Sequence, residues 1–313
     1  MAKEKILVTG GAGYIGSVLV PTLLAKGYKV TVLDSLAFNQ SSLLECCSNP
    51  DFDIINDDVR NEGVVKSLLR DNDIIIPLAA IVGAPLSKKN AYNTVSINRD
   101  AIISINKMRS KDQRIIYPTT NSGYGIGQDG IYCTEETPLN PISLYGTTKV
   151  EAERALLDSD NAITLRLATV FGFSPRMRLD LLVNDFTYKA YTEKYIVLFE
   201  ANFKRNFIHI RDVASAFCFA IDHFEVMKNQ PYNVGLSSAN LSKMELCMKI
   251  KEQIPDFFIT TSEINKDPDQ RNYIVSNEKI EKLGYMPSHT IEAGICELIK
   301  GFRIIKNNKF SNV

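Results

Sequence analysis

The sequence predicts an α/β protein: a doubly wound parallel sheet with a smaller α+β lobe at its C-terminal end. Three observations carry this. Short β-rich runs alternate with stretches of helical period through about the first 170 residues, several of those runs are apolar without a break, and glycines recur every third residue where the first run meets the first helix. Alternation of this kind implies parallel strands joined by right-handed crossovers, with helices on both faces. Unbroken apolar strands are the ones a sheet covers on both sides.

In chain order, strands are predicted at 5–9, 29–33, 52–55, 74–78, 114–118 and 162–166. Helical patterns lie near 15–26, 63–69, 96–108 and 144–157. Beyond about Gly172 the alternation stops, and residues 173–205 are aromatic, Arg-containing and irregular. A strand at 207–210 and a helix from near Asp212, with Asp212 as its N-cap, read as a return to the first domain. From about Leu236, with Pro255, Pro268 and Pro287 as punctuation, the chain reads as a small α+β lobe. The first domain is thus assigned to 1–172 and 206–235, the second lobe to 173–205 and 236–313. The polar tail 306–313 is expected to fray.

Composition narrows the function. In 313 residues, 36 Lys+Arg balance 36 Asp+Glu, which leaves no electrostatic footprint for nucleic acid or an anionic membrane. A composition 45% hydrophobic and 23% charged suits a globular chain rather than a disordered one. The longest apolar run, 74–82, is about half of what a membrane span needs. The N-terminus enters a strand pattern directly, without the long apolar region of a signal peptide, so a cytoplasmic protein is expected. Six scattered cysteines, without a Cys-x-x-Cys pair, read as reduced and mostly core residues. His209, His223 and His289 have no metal-ligand spacing, so no metal is expected.

The strongest local signal is Gly10-x-x-Gly13-x-x-Gly16, directly after a strand and opening a helix. Bare backbone there lets a pyrophosphate approach the helix N-terminus, where unpaired N–H groups and the helix dipole attract anions. Tyr14 and Ile15 lie within the same turn. Asp34 ends the second strand, where a carboxylate accepts bonds from adenosine ribose hydroxyls and repels a 2′-phosphate; this favours NAD over NADP. Asp58 and Val59 follow the third strand, where an adenine ring would lie. Leu78, Ala79 and Ala80 line the crevice at the end of the fourth.

Tyr145 and Lys149 stand four apart on a predicted helix and so share a face. An ammonium beside a phenol lowers a pKa that starts near 10, and the tyrosinate can take a hydroxyl proton while hydride leaves the same carbon for a nicotinamide. With 13 tyrosines in the chain such a pair also arises by chance. Position singles it out: it follows the strand at 114–118 and the hydroxyl-rich Thr119-Thr-Asn-Ser-Gly-Tyr-Gly125, in which Thr120 can share the reacting proton.

Together, Gly10-x-x-Gly13-x-x-Gly16, Asp34, Thr120 and Tyr145-x-x-x-Lys149 resemble the extended short-chain dehydrogenase/reductase family of nucleotide-sugar epimerases, dehydratases and dehydrogenases. The resemblance covers nearly the whole chain. It implies a Rossmann domain that holds NAD tightly, a C-terminal substrate lobe, and a homodimer formed through two helices, one bearing Tyr145 and Lys149. It makes Tyr145, Lys149 and Thr120 the catalytic set, with Asn121 and Ser122 beside the sugar. The segment from Arg205 resembles the family's Arg-Asp-Tyr-Ile-His-Val, whose first arginine contacts the nucleotide diphosphate. The segment from Arg271 resembles a later arginine with the same task, and guanidinium forks suit diphosphate oxygens. His209 reads as structural. Thr169 stands where many relatives carry a substrate-binding Asn.

The resemblance also excludes chemistry. The family's 4,6-dehydratases follow the catalytic Thr with Asp-Glu; here Asn121-Ser122 stand there, and neither exchanges a proton near neutral pH. Relatives that epimerise C3 and C5 use a Cys where this chain has Ser122. C4 epimerisation and net C4 oxidation remain, with a non-catalytic NAD- or nucleotide-sugar-binding regulator as the reading from another class. Longer segments, among them Pro77–Pro85, Thr119–Gly127 and Ser174–Asp185, resemble members that oxidise C4 of GDP-D-glycero-α-D-manno-heptose with NAD in bacterial capsule synthesis. That likeness implies a GDP-linked substrate, a 4-keto product, and Arg176, Arg178 and Asn184 facing the sugar nucleotide.

Overall fold

The computed structural model describes residues 3–263 and 271–305. The tail 306–313 and Pro268 lie outside the described residues. The strands are β1 Lys5–Thr9, β2 Lys29–Asp34, β3 Phe52–Asn56, β4 Ile74–Pro77, β5 Arg114–Thr120, β6 Tyr132–Cys133, β7 Ala162–Leu167, β8 Thr169–Phe171, β9 Tyr195–Leu198, β10 Lys204–His209, β11 Gln230–Val234, β12 Asn240–Ser242, β13 Phe258–Thr261 and β14 Ile274–Val275. Among the described residues, seven form one sheet in the order β11-β7-β5-β4-β1-β2-β3. Every neighbouring pair in it is parallel. This is the doubly wound parallel sheet of the prediction, with its winding reversed between β1 and β4. Ligands of such sheets bind in the crevice at that switch point, beyond the strand carboxyl ends.

Alternate residues of each central strand feed two different cores. Leu7, Ile75, Ile115 and Ala162 pack on one face, and Ile6, Val8, Ile74, Ile116 and Ile163 on the other. The period of two explains why these strands read as unbroken apolar runs. A third cluster lies around Phe171, Phe207, Leu246, Phe257 and Leu298, with Tyr14 among its members. Among the described residues, no helix is long and apolar enough to cross a membrane.

Three local expectations are corrected. The strand expected to return to the first domain at 207–210 is β10, and it pairs with β8 and β12 in a separate three-stranded sheet. The helix after it, Ile210–Asp222, does return, packing Val213, Phe217 and Ile221 into the core that holds Leu19 and Leu23. Its N-cap is His209, whose imidazole accepts the Arg211 N–H at 3.3 Å. Asp212 lies inside the first turn, where it receives Ser288 and His289. The helical stretch at 96–108 is interrupted: a π-turn at Ser96–Asp100 separates Ala91–Val95 from Ala101–Met108. The turn carries Asn98, whose amide grips the backbone N–H and C=O of Ile81, both at 2.8 Å. A short helix at Ala84–Lys89 follows, unforeseen by periodicity.

The three motif glycines do different work. A Cβ on Gly10, where φ is +71°, would stand 2.5 Å from the Ala79 nitrogen, and one on Gly16 would stand 2.3 Å from the Gly11 oxygen. Both positions are bare because the chain crosses itself there. A Cβ on Gly13 would meet only the Gly10 oxygen, at 3.0 Å, and otherwise face open space. Gly13 is thus the position at which a ligand can approach the turn. Gly16→Ala is expected to lower stability by about 1–3 kcal/mol, and Gly13→Ala by less than about 1 kcal/mol, in urea unfolding of the nucleotide-free protein. Equal losses would contradict this division of roles.

Candidate active site

β5 delivers Thr120 to the crevice. Its hydroxyl caps the turn Asn121–Tyr124, accepting the Ser122 N–H at 3.1 Å, and lies 2.7 Å from the Ser122 hydroxyl. Ser143 caps the helix Leu144–Leu157 by accepting the Gly146 N–H at 3.1 Å. Helical spacing then sets Tyr145, Lys149 and Glu153 along one face. The Thr120 hydroxyl helps to hold the Tyr145 phenol pKa down, which places the predicted catalytic threonine near the tyrosine.

Lys149 is buried, with its ammonium 3.9 Å from the centre of the Tyr117 ring, at cation–π distance. Burial drives its pKa down to about 7, and the charge of Glu153 opposes that fall. Glu153 is itself buried. It accepts the Thr119 hydroxyl at 2.8 Å and Arg166 through Nη2 at 2.7 Å and Nε at 3.0 Å. Arg166 continues to the Tyr124 hydroxyl at 3.0 Å, which donates to Asn233 at 2.7 Å.

The electrostatics correct one expectation. Spacing suggests that Lys149 lowers the Tyr145 pKa. In the structure burial pushes that pKa up, and the influences opposing the rise come from Arg178, Arg271 and the Thr120 hydrogen bond. The desolvation that disfavours the phenolate also disfavours the ammonium beside it.

The residues expected to hold the dinucleotide fit it. Asp34 is buried, which raises its pKa, while the N–H groups of Ala12 at 2.9 Å and Leu36 at 2.8 Å hold its two oxygens in place. Gln40 also donates to the oxygen that Leu36 holds, at 3.3 Å, so the oxygen bound by Ala12 keeps a further lone pair for a hydroxyl. Gly13 opens the turn. Leu78 and Ala79 are tied to Thr9 at the switch point, by bonds of 2.8 Å to its carbonyl and 3.4 Å to its hydroxyl. Ala80 follows, next to the Ile81 backbone that Asn98 grips. Asp58 lies at the end of β3 with its carboxylate held by Arg60 at 2.6 and 2.9 Å, and Val59 is buried in the core. Ile15 packs against the core beside Gly16, while the Tyr14 side chain turns inward to donate to the Gly172 carbonyl at 2.7 Å. Only the backbone of Tyr14 is left for a ligand.

The residues expected at the substrate separate into two groups. Arg205 is buried on β10, donates to the Arg271 carbonyl, and lies 6.0 Å from the Tyr273 ring centre. Arg178 bonds Asp180 at 2.6 and 3.2 Å. The charges of Arg178 and Arg271 both act to lower the Tyr145 pKa, and Ser122 bonds Thr120. Asn121 is buried beside them, and among the described residues neither of its amide atoms has a hydrogen-bond partner.

The other two differ from expectation. Asn184 is fully buried. It accepts the Gly172 N–H at 3.0 Å and donates to the Arg178 carbonyl at 2.9 Å and the Tyr14 hydroxyl at 3.2 Å, so its amide braces the loop instead of facing a sugar. Arg176 turns toward Asp34 and the Phe38 ring. His209 is a brace as well, 2.7 Å from Glu297. Sequence reasoning missed Glu153, Asn98 and Tyr273. Glu153 alone had a legible signal, one more helical turn beyond Tyr145 and Lys149.

Replacing the buried amine tests the desolvation of Lys149. Below about pH 7 the folded chain holds an ammonium in a dry site, whereas the unfolded amine keeps its ordinary value of 10.5, so wild-type stability rises between these values. Lys149→Met is therefore expected to melt above wild type, with a gain that is larger at about pH 6 than at about pH 9. Equal melting temperatures at both pH values would show that the amine is not disfavoured there.

The pattern of the NAD dependent epimerase/dehydratase family matches residues 6–235. The low-salt glycan biosynthesis protein Agl12 of Haloferax volcanii is 28% identical over 301 residues, covering 93% of this chain and 96% of that protein. The UDP-glucose 4-epimerase of Corynebacterium glutamicum is 27% identical over 320 residues, covering 91% and 92%. Among solved structures, the UDP-glucuronic acid 4-epimerase of Bacillus cereus, in complex with UDP-glucuronic acid and NAD, superposes with a TM-score of 0.85 at 23% identity, covering 96% of this chain and 99% of that one. The dTDP-glucose 4,6-dehydratase of Bacillus anthracis, in complex with NAD, gives 0.83 at 21% identity, covering 98% of both chains. These two likenesses establish the fold. With the family pattern spanning the glycine turn, Asp34, Thr120, Tyr145 and Lys149, the chain belongs to the NAD dependent epimerase/dehydratase family, whose cofactor is NAD.

Proposed function

We propose that the protein oxidises C4 of a nucleotide-activated sugar to a 4-keto sugar, with GDP-D-glycero-α-D-manno-heptose as substrate and capsule or other surface polysaccharide as destination. The observation that carries the chemistry is the helix Leu144–Leu157, which sets Tyr145 and the buried Lys149 on one face, with Thr120 at the end of β5 and the charges of Arg178 and Arg271 acting on the phenol. NAD, when bound, supplies the acceptor for the hydride that leaves C4. Tyr145 takes the proton of the C4 hydroxyl, and Thr120 holds that hydroxyl and shares the proton. The arginine charges favour the phenolate that this step requires. Arg205 and Arg271, joined through the Arg271 carbonyl, hold the diphosphate. Asn121 offers an amide donor and acceptor to the sugar. The GDP-heptose assignment rests on the likeness of the longer segments alone.

A second reading, 4-epimerisation with NAD retained, draws support from the 4-epimerases among the relatives. Both readings use Tyr145, Thr120 and Lys149, so the product decides. Incubation with GDP-heptose, or with UDP-linked sugars, is followed at 340 nm and by NMR of the sugar. Net oxidation gives one NADH per keto sugar, and epimerisation gives a C4-inverted sugar without NADH. No change with any of these sugars would leave the non-catalytic regulator. Tyr145→Phe is expected to keep its fold and its NAD while losing about 10²–10⁴-fold in turnover. Near-normal rates would remove Tyr145 from the mechanism.

A further inference from the structure

A buried ammonium stays charged only where something replaces the water it has lost. At Lys149 desolvation drives the pKa down to about 7, and the charge of Glu153 opposes the fall. The amine also lies against an aromatic face, with Nζ 3.9 Å from the centre of the Tyr117 ring. The face of such a ring carries partial negative charge, and its attraction for a cation grows once both are out of water. Tyr117 is fully buried. The titratable and charged groups about the amine are Tyr117 on β5, Tyr145 and Glu153 on its own helix, and Arg166 on β7, which bonds Glu153 at 2.7 Å.

The ring is held at both ends. At its base, β5 pairs Tyr117 with Thr164 of β7, and the side chain enters the core that contains Leu7, Ile75 and Ile115. At its tip, the hydroxyl donates to the Asn98 carbonyl at 3.2 Å. Burial, with Tyr145 and Glu153 nearby, raises the phenol's pKa well above its ordinary 10, so it stays a neutral donor. Asn98 sits in the π-turn Ser96–Asp100 and grips the Ile81 backbone at 2.8 Å, so the tip of the ring is tied to the crevice. Single π-turns inside helices are frequent at functional sites. We propose that Tyr117 is a positioning residue for the reaction: the face of its ring holds the Lys149 ammonium in place and in its charged state. A core position that only fills space would accept any side chain of the same shape, whereas this role requires an electron-rich ring. The proposal rests on the role given to Lys149 and not on which sugar is oxidised.

The test follows the amine itself. In the full chain labelled with ¹³C at lysine Cε, the Lys149 signal is the one missing from Lys149→Met, and its movement with pH reports the proton affinity of the amine. Tyr117→Phe keeps the electron-rich face and is expected to stay within about 3-fold of wild type. Trifluorophenylalanine in place of Tyr117 keeps the shape of that ring but draws charge from its face, and it is expected to weaken proton binding by about 10-fold relative to Tyr117→Phe. Tyr117→Leu, which has no ring, is expected to lose at least as much. A fluorinated variant within 2-fold of Tyr117→Phe overturns the proposal, and this comparison stands even should Tyr117→Leu fail to fold. A 10-fold loss already present in Tyr117→Phe also overturns it, because the effect would then belong to the hydroxyl. The titration uses no sugar, so inactivity toward every sugar would sink the proposed oxidation without touching this contact.

Discussion

The site is organised around one awkward requirement, an ammonium kept where there is almost no water. Lys149 is 3% exposed, and the nearest opposing charge is a carboxylate one helical turn away that is itself buried. Arg166 and Thr119 both bond that carboxylate. Both come from neighbouring strands whose register pairs Thr119 with Arg166. A slip of one residue would turn Arg166 to the opposite face of the sheet and leave Glu153 uncompensated. Sheet register, helix phase and the state of the amine are therefore one constraint. The chain of partners runs on through Tyr124 to Asn233 on β11, so the edge of the sheet is tied to the same network.

A second consequence concerns the loop after Gly172. Tyr14, within the glycine turn, donates to Gly172, and Asn184 bonds both of them along with the Arg178 carbonyl. A buried polar network of this kind is favourable only when every member is satisfied. The loop that follows Gly172 is thus fixed relative to the glycine turn, and Arg176 and Arg178 inherit that placement. Although the chain as a whole carries no net charge, the crevice has arginines at both ends.

Much of this was legible in the sequence. The strands were readable because burial on two faces leaves apolar runs, and the glycine turn and the shared helix face of Tyr145 and Lys149 were readable because both are local geometries. What could not be read was where side chains go in irregular backbone. Arg176 and Asn184 lie in and just after a loop without periodicity, where neighbouring residues can diverge as Arg176 and Arg178 do. Asp212 resembled a cap, but β10 extends to His209 by pairing with Phe171, which moves the helix start and brings Asp212 into the first turn. The sign of the Tyr145 shift was equally hidden. Spacing reports that an amine is near, whereas desolvation depends on everything packed around it.

Asn121 bears on which reaction such a site can run. A buried amide without partners costs about 1–3 kcal/mol, and a protein retains one where a ligand repays that cost. An amide donates and accepts but cannot exchange a proton near neutral pH. A sugar hydroxyl at Asn121 would be oriented and left intact, whereas eliminating water from the sugar would need an acid and a base. Ser122 already bonds Thr120 at 2.7 Å, so it extends the hydroxyl relay rather than adding a second proton donor of different strength. Burial and bonding at these two residues thus suit removal of one proton and one hydride from C4, and they oppose elimination.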